Sequence, residues 1–549
     1  MLDGCTPWPE EFAKRYREAG YWEDISLWRM LEQTIQRFGS KEALIYGTER
    51  ITYRQMGETI ERLADGFSGL GLKPLDRVVF QLPNIPEFVY AFFALMKIGV
   101  IPVMALPAHR RAEIGHFIRH AGATGYLIPD IFHKFDYRDL ADEMHDALAP
   151  PGLVIVAGEA GENQVSIGDL LAAPEGRQDA TEDFRPDPCE VALMLLSGGT
   201  TGLPKMIPRT HNDYVYNSRQ CGVHGNISGE TVFLALLPMA HNYNLACPGI
   251  LTTFACGGRV VISPDTELKQ VLALVERERV TIIPAAVPLI TRWLNSPLPG
   301  QIDISSLEVM MNGGAKLAPE FRKRVQDVFD CAFQESFGTG EGLINVTRLD
   351  DEPDLILHSS GKPISPGDEI KVVDDAGNEV PDGEVGELIC RGPYTIRGYY
   401  KAPEINAEAF TGDGFYRMGD LVSRESGYVY VRGRIKDLIN RGGEKISIDE
   451  VENLILANEK IVNVCLVAMP DEEFGEKACA FVIAKANQAI SFDELKEFLL
   501  ARGIAKFKLP ERLEVVESFP LSPAGKILRR DLRAVIETKL AAEKVSTSA

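Results

Sequence analysis

The 549-residue sequence lacks several patterns that would assign it to other common protein classes. Its nine cysteines contain no C-x-x-C pair, so neither a zinc site nor a disulfide framework is indicated. Acidic side chains outnumber basic ones by 79 to 58, and the formal net charge of -21 argues against a nucleic-acid partner. No internal repeat or low-complexity block is present. With 45% hydrophobic and 25% charged residues, the composition is that of an ordinary globular enzyme.

Segments that would direct the chain into or across a membrane are also missing. Residues 1–11 contain no basic stretch followed by an apolar one, so they do not resemble a secretory signal. The longest apolar passage, residues 88–106, is interrupted by Lys97, Gly99 and Pro102 and is too broken to span a bilayer. We therefore expect a cytoplasmic enzyme with no membrane partner.

The length and the alternation of segment types predict an α/β protein with more than one domain. Helix-period segments such as residues 53–70 alternate with short β-branched runs, a pattern typical of parallel sheets flanked by helices. Beyond Ser365 the pattern changes to strands and turns. We expect a large N-terminal body with a β subdomain, residues 1–435, and a small α+β C-terminal lid domain, residues 436–549.

A glycine- and hydroxyl-rich run follows the apolar, strand-like residues 191–196. Its glycines allow backbone N–H groups to turn inward, its hydroxyls add donors and its lysine adds positive charge, which together suit a nucleotide triphosphate. The spacing differs from a Walker A loop, because Pro204-Lys205 replaces Gly-Lys-Ser/Thr. The residues that we expect to hold the phosphates are Ser197, Gly198, Gly199, Thr200, Thr201, Gly202 and Lys205.

Four further motifs follow this loop in order. They are Phe337-Gly338-Thr339-Gly340-Glu341-Gly342, Tyr416-Arg417-Met418-Gly419-Asp420, the glycine-rich stretch 433–445 and Pro523-Ala524-Gly525-Lys526. With the loop, they resemble the adenylate-forming superfamily of acyl-CoA synthetases, luciferases and nonribosomal peptide adenylation enzymes. Within it the chain is similar to the stand-alone aryl-acid adenylating enzymes of siderophore pathways. The segments that carry this narrower resemblance are residues 7–9, 237–243 and 391–400.

The resemblance implies that ATP and Mg²⁺ convert a carboxylic acid into an acyl adenylate. It assigns Glu341 to Mg²⁺ and to catalysis, and Asp420 and Arg434 to the ribose. Lys526 would bridge the attacking carboxylate and the α-phosphate, reducing repulsion between two anions and neutralising charge in the transition state. The residues implied around the adenine are Gly314, Ala315, Lys316, Ser336, Phe337, Gly338 and Thr339.

A second half-reaction also comes with the resemblance. The aryl group would pass to the phosphopantetheine thiol of an aryl carrier protein, or to CoA. Lys436 stands at the family's hinge, about which the C-terminal domain rotates between the two steps. Gly442 and Gly443 stand where the pantetheine chain passes.

The resemblance places the acid pocket at His241, Asn242, Tyr243, Cys247, Gly338 and Ile344, and His241 is also a catalytic candidate. Amino-acid-activating relatives have an ammonium-binding aspartate where this chain has Asn242, so an aryl acid is favoured. Cys247 replaces a serine and Ile344 replaces a valine of the dihydroxybenzoate pattern. The thiol pairs weakly with a 3-hydroxyl and the added methylene narrows the pocket, so we expect salicylate first and 2,3-dihydroxybenzoate second. The alternative is that both replacements are neutral core variation.

Two other functions stay open at this point. An aryl-CoA ligase acting on salicylate, anthranilate or benzoate would carry the same motifs, although the sequence shows no basic pocket for the CoA 3′-phosphate. A nucleotide-binding regulator without catalysis would need a broken motif, and none of the five is broken.

Overall fold

The computed structural model describes residues 1–173, 184–197, 204–435, 438–442, 444–471, 473–486, 488–521 and 527–547. The α-helices are α1 Glu10–Glu18, α2 Leu27–Phe38, α3 Tyr53–Gly69, α4 Pro86–Ile98, α5 Arg111–Ala121, α6 Tyr137–Met144, α7 Ile167–Ala172, α8 His211–His224, α9 Asn242–Ala246, α10 Ile250–Ala255, α11 Leu268–Glu278, α12 Val287–Trp293, α13 Pro319–Phe329, α14 Pro353–His358, α15 Pro403–Ala409, α16 Ile448–Leu456, α17 Phe492–Ala501 and α18 Arg529–Thr547.

The strands alternate with these helices through most of the chain. They are β1 Glu42–Tyr46, β2 Glu49–Thr52, β3 Arg77–Phe80, β4 Ile101–Met104, β5 Gly125–Pro129, β6 Ile131–Phe132, β7 Phe135–Asp136, β8 Leu153–Ala157, β9 Val165–Ser166, β10 Val191–Leu196, β11 Met206–Thr210, β12 Val232–Ala235, β13 Arg259–Ile262, β14 Ile282–Ala285, β15 Val309–Gly313, β16 Ala332–Thr339, β17 Gly342–Val346, β18 Lys362–Pro363, β19 Glu369–Val373, β20 Gly386–Arg391, β21 Tyr416–Glu425, β22 Tyr428–Arg434, β23 Leu438–Arg441, β24 Glu444–Ser447, β25 Ile461–Asp471, β26 Gly475–Ala484 and β27 Arg512–Val515.

The chain packs into two compact units. The first contains Met1–Leu317, Arg322–Ile370 and Cys390–Arg417, and the second contains Ala318–Phe321, Lys371–Ile389 and Met418–Ala549. This division concerns packing, whereas the expected boundary at residue 436 concerns a hinge between parts that move. That boundary stays a prediction.

The first unit contains two large, mostly parallel sheets. One has the order β18-β17-β16-β15-β14-β12-β13-β1-β2 and the other has the order β11-β10-β4-β3-β5-β8-β9. Strands in the middle of the second sheet are buried along their whole length, as β4 and β5 show. Such strands have continuous apolar sequences because helices cover both faces of a parallel sheet. The predicted parallel sheets are confirmed.

Local capping signals explain where two helices of this unit begin. Thr52 and Gln55 form a capping box at the start of α3, and the helix predicted over residues 53–70 is confirmed. Thr210 and Asp213 form another at the start of α8. Because α8 follows β11 without a loop, the residues of this junction are fixed against the sheet.

In the second unit, β25 shows why its strands form a sheet that is covered on both faces. Val464 and Leu466 belong to one apolar cluster of this unit, whereas Cys465 and Val467 belong to another. Alternate residues of a strand point to opposite faces, so both faces of the β24-β23-β26-β25 sheet are covered. β27 follows α17 in the sequence and pairs in parallel with β26. A separate sheet has the order β19-β20-β21-β22. The expected α/β body with a small α+β domain is confirmed.

Candidate active site

The two ends of the predicted phosphate loop are held together at the end of a β-hairpin. Strands β10 and β11 pair antiparallel, and beyond them the Ser197 N–H donates to the Lys205 carbonyl at 2.9 Å. The Lys205 N–H donates in return to Ser197 Oγ at 2.9 Å. Strand β11 follows Lys205 directly, so no helix opens here as it would after a Walker A loop. The remaining loop residues, Gly198, Gly199, Thr200, Thr201 and Gly202, lie outside the described residues.

Glu341 lies in the turn between β16 and β17, where its side chain is held by an aromatic hydroxyl. It is only 7% exposed, and its Oε1 accepts a hydrogen bond from the Tyr399 hydroxyl at 2.7 Å. The Lys205 ammonium lies 4.0 Å from the centre of the Tyr399 ring. Burial and the neighbouring Glu341 carboxylate raise the pKa of Tyr399 well above its usual range, so Tyr399 remains a donor. Tyr399 therefore joins the phosphate-loop lysine to the carboxylate.

Arg209, which the sequence analysis missed, fixes the same turn from the other side. Its guanidinium is fully buried, pairs with Asp213 at 2.9 Å and donates to the Gly340 carbonyl at 2.8 Å. It also donates to the Tyr394 carbonyl at 3.1 Å. One side chain thus connects the start of α8 with the backbone that precedes Glu341.

The predicted adenine-binding residues occupy the adjoining ends of two parallel strands. Gly313 at the end of β15 pairs with Ser336 on β16, and Phe337 follows, half-buried. Gly314 is exposed with a φ of +86° and open space where a side chain would stand. This left-handed backbone favours glycine and leaves an uncovered surface on which a flat base could lie.

A buried polar cluster holds the backbone next to this surface. The Asn312 amide donates to the Ala315 carbonyl at 2.7 Å and to Glu335 Oε2 at 3.0 Å. Glu335 also pairs with the buried Arg322 at 3.1 Å. The cluster fixes the backbone that leads to Lys316, which is half-buried.

The acid-pocket candidates on α9 are arranged around the helix start. His241 is the N-cap, and its Nδ1 accepts from the Tyr243 N–H at 3.3 Å. The Tyr243 ring packs on Gly313, where an added Cβ would lie 2.6 Å from a ring carbon. Only glycine at position 313 permits this contact. Tyr243 therefore links the acid candidates to the adenine-binding surface.

Two other acid-pocket candidates face each other across the β16–β17 hairpin. Gly338 is the cross-strand partner of Ile344, which is 2% exposed. The Ile344 N–H donates to the Tyr394 hydroxyl at 3.0 Å, and that hydroxyl donates to Asp368 at 2.7 Å. Burial raises the pKa of Asp368 to about 8. The strand that carries Ile344 is therefore held by a buried tyrosine and carboxyl pair.

Cys247 lies at the end of α9 and is 4% exposed. Its sulfur accepts a hydrogen bond from the Asn217 amide at 3.3 Å. Asn242 lies at the start of the same helix and accepts from the Tyr214 hydroxyl at 2.7 Å. Neither Asn217 nor Tyr214 was predicted, since no sequence motif marks them.

Asp420 and Arg434 face each other on neighbouring strands of the second unit. They are cross-strand partners on β21 and β22, and Arg434 Nε donates to Asp420 Oδ1 at 2.9 Å. The Asp420 side chain is buried, whereas that of Arg434 is half-exposed. Gly442 has a φ of +56° and lies against Phe474. The other candidates of this unit, Lys436, Gly443 and Lys526, lie outside the described residues.

Among the described residues, no group of three or more His, Cys, Asp and Glu side chains could enclose a metal ion. Glu341 nevertheless fits Mg²⁺, because this ion commonly takes one or two carboxylates together with substrate phosphates. Within the described part of the chain, no helix is both long and apolar enough to cross a membrane.

Comparison with known families gives two matches along the chain. The family model of the AMP-binding enzyme matches residues 31–400, and that of the AMP-binding enzyme C-terminal domain matches residues 450–526.

Individual relatives match over nearly the whole chain. The 2,3-dihydroxybenzoate-AMP ligase of Bacillus subtilis (strain 168) is 46% identical, over 99% of this chain and 99% of its own length. Pyochelin synthase PchD of Pseudomonas aeruginosa (strain UCBPP-PA14) is 45% identical, over 98% of each chain. The solved apo structure of Mycobacterium smegmatis MbtA is 39% identical, covers 97% of this chain and 98% of its own, and has a TM-score of 0.74.

Proposed function

This chain belongs to the AMP-binding enzyme family, and on that premise we propose that it activates an aryl carboxylic acid with ATP, forming an aryl adenylate and releasing pyrophosphate. The observation that carries the proposal is the β16–β17 hairpin. Between Ser336 and Ile344 it holds residues expected to touch the base, the metal and the acid. One short hairpin thus brings together the candidate sites for both substrates.

The nucleotide would be held by backbone groups and by charged side chains. Ser197 and Lys205 close the loop around the β- and γ-phosphates, and the base lies on Gly314. Asp420 accepts hydrogen bonds from the ribose hydroxyls, and Arg434, 2.9 Å away, holds its carboxylate in place. Lys526 bridges the acid and the α-phosphate.

Mg²⁺, when bound, would be held by Glu341 and the phosphate oxygens and would supply positive charge that offsets phosphate charge. Tyr399 orients the Glu341 carboxylate by donating to one of its oxygens. The second oxygen is then left for the metal. Arg209 keeps the turn in position through the Gly340 carbonyl.

We propose salicylate as the preferred acid, with 2,3-dihydroxybenzoate second. Asn242 would bind the 2-hydroxyl, with His241 and Tyr243 beside the ring. Cys247 supports the order because its sulfur already receives the Asn217 amide and has little capacity left for a 3-hydroxyl. Ile344 supports it as well, since this branched side chain stands opposite Gly338 where the pocket would otherwise be wider.

For the second half-reaction we propose transfer to the phosphopantetheine thiol of an aryl carrier protein in siderophore biosynthesis. The C-terminal domain, residues 436–549, would rotate about Lys436 and present Gly442 and Gly443 to the pantetheine chain. Gly442 fits this role, because a chain passing close to the backbone needs residues without side chains, and its left-handed backbone favours glycine as well. The alternative acceptor is free CoA.

Aryl-acid-dependent ATP–pyrophosphate exchange across a panel of substituted benzoates tests the first step. We expect exchange with salicylate and weaker exchange with 2,3-dihydroxybenzoate, and none when an aliphatic or α-amino acid is supplied as a control. ATP–pyrophosphate exchange that does not depend on the aryl acid would contradict the proposal. Thioester formation with a carrier protein compared with CoA then identifies the acceptor.

A further inference from the structure

The side-chain amide of Asn242 is held at its oxygen. Its Oδ1 accepts a hydrogen bond from the Tyr214 hydroxyl at 2.7 Å. An asparagine amide carries its acceptor on one atom and its two N–H donors on the other, so a bond that holds the oxygen toward Tyr214 turns the nitrogen the other way.

The Tyr214 hydroxyl is the donor in this contact. It is buried, and burial raises the pKa of this residue well above its usual range, so it keeps its proton. The Arg209 guanidinium lies 4.6 Å from the ring centre and strengthens the hydroxyl as a donor. Asn242 itself is only half-buried, so its amide nitrogen is the end that can face a ligand.

We propose that Tyr214 is a specificity-determining residue that makes the pocket donate a hydrogen bond to the ortho substituent of the aryl acid and thereby selects ortho-hydroxy over ortho-amino benzoates. This inference rests on the proposed function. A phenolic oxygen accepts such a bond. An aniline nitrogen does not accept it well, because its lone pair is conjugated with the ring and its N–H groups face the amide N–H.

The test compares salicylate with anthranilate, two acids of nearly equal size, by kcat/KM in ATP–pyrophosphate exchange. The unmodified protein should favour salicylate by about 100-fold or more, as expected when a polar site rejects a mispaired analogue. Tyr214→Phe keeps the ring but frees Asn242 Oδ1, so the amide can turn toward an N–H donor. The preference should then fall by about 10-fold or more. If Tyr214 had a merely structural role, its loss would lower kcat/KM for both acids by the same factor.

Two further variants keep the test decisive. Tyr53→Phe removes another buried hydroxyl, which donates to the Gly258 carbonyl away from the acid candidates, and should leave the preference unchanged. Asn242→Asp replaces the N–H donor by an acceptor and should also lower the preference, which covers the case in which Tyr214→Phe does not fold.

A preference that stays within about twofold of the original in both Tyr214→Phe and Asn242→Asp overturns the inference. An unmodified protein that prefers anthranilate overturns it as well. If salicylate still supports exchange in these cases, the proposed function stands. Absence of exchange with every aryl acid contradicts the proposed function itself, and the inference with it.

Discussion

The parts of the first unit that we propose for the nucleotide and for the acid differ in the groups that they offer. On the proposed nucleotide side, Ser197 and Lys205 pair through a backbone bond and a backbone-to-hydroxyl bond, and Gly314 offers an exposed, left-handed backbone. On the proposed acid side, the groups are side chains that other side chains position. Tyr214 and Asn217 hold Asn242 and Cys247 by side-chain hydrogen bonds.

This difference follows from what each substrate demands. Phosphates and a ribose are common to every acid that is activated, so backbone groups and a few charges suffice for them. The acid has to be chosen among close analogues, which requires polar groups in fixed orientations. We therefore expect substitutions on the two sides to have separable effects, one on ATP use and the other on the preference between acids.

The largest effect should come from Lys526→Ala, which removes a charge needed for adenylation alone. Adenylation should fall by about 10²–10³-fold or more, the scale of losing one preorganised stabiliser of developing charge. Thioester formation from supplied aryl adenylate should survive, and the preference between salicylate and 2,3-dihydroxybenzoate should not change. Equal losses in both half-reactions, measured separately, would refute the role of Lys526.

Tyr399→Phe should affect the nucleotide side only. The ring remains beside Lys205, but Glu341 loses a hydrogen bond to its carboxylate, which is worth about 1.5–3 kcal/mol for a charged group. We expect kcat/KM for ATP to fall by roughly 10-fold or more, with a higher Mg²⁺ requirement, in Mg²⁺ titrations of the exchange reaction. Tyr416→Phe is the matched control. Its hydroxyl contacts that of Tyr399 at 3.2 Å, so its loss leaves the bond from Tyr399 to Glu341 in place and should change kcat/KM for ATP much less. A changed preference between the acids in Tyr399→Phe would contradict the claim that the two sides have separable effects.

Cys247→Ser combined with Ile344→Val should affect the acid side only. The serine pairs better with a 3-hydroxyl and the valine removes one methylene. The unmodified protein should favour salicylate over 2,3-dihydroxybenzoate by about 5–100-fold, and the double variant should narrow or invert this ratio. Exchange kinetics with both acids measure the ratio, and KM for ATP should stay the same. A native preference for 2,3-dihydroxybenzoate would refute this account of the pocket but not the adenylation chemistry.

The last effect concerns stability on the acid side and leaves the activity unchanged. Burial raises the pKa of Asp368 to about 8, so the folded state keeps a proton that the unfolded chain releases above about pH 4. The stability that this proton provides is present below about pH 4 and is lost as the pH rises through about 8.

In Asp368→Asn the amide cannot ionise, and its oxygen can still accept a hydrogen bond from the Tyr394 hydroxyl. The unmodified protein should therefore lose more unfolding free energy than the variant between about pH 5 and pH 8, at up to about 1.4 kcal/mol per pH unit. Urea unfolding at several pH values measures the difference. Parallel pH dependences in the two proteins would show that Asp368 does not hold a proton in the folded state.

The sequence was sufficient for the fold class, which the structure confirms, and local motifs named the nucleotide-binding candidates, which stay predictions. Glycines at fixed spacing mark Gly314 and the turn at Glu341, and a 3.6-residue period marks α3. Arg209 and Tyr214 could not be found in this way. Arg209 reaches a carbonyl 131 residues away and Tyr214 reaches an amide 28 residues away, and hydrogen bonds between distant residues leave no local pattern.

The central claim is that this protein transfers an adenylyl group to an aryl acid, and a single-turnover reaction tests it most directly. Protein in excess over salicylate is mixed with ATP and Mg²⁺, quenched in acid and analysed by mass spectrometry. The account predicts salicyloyl-AMP and pyrophosphate in equal amounts. Formation of ADP and phosphate, or the absence of any product that depends on the acid, would contradict it.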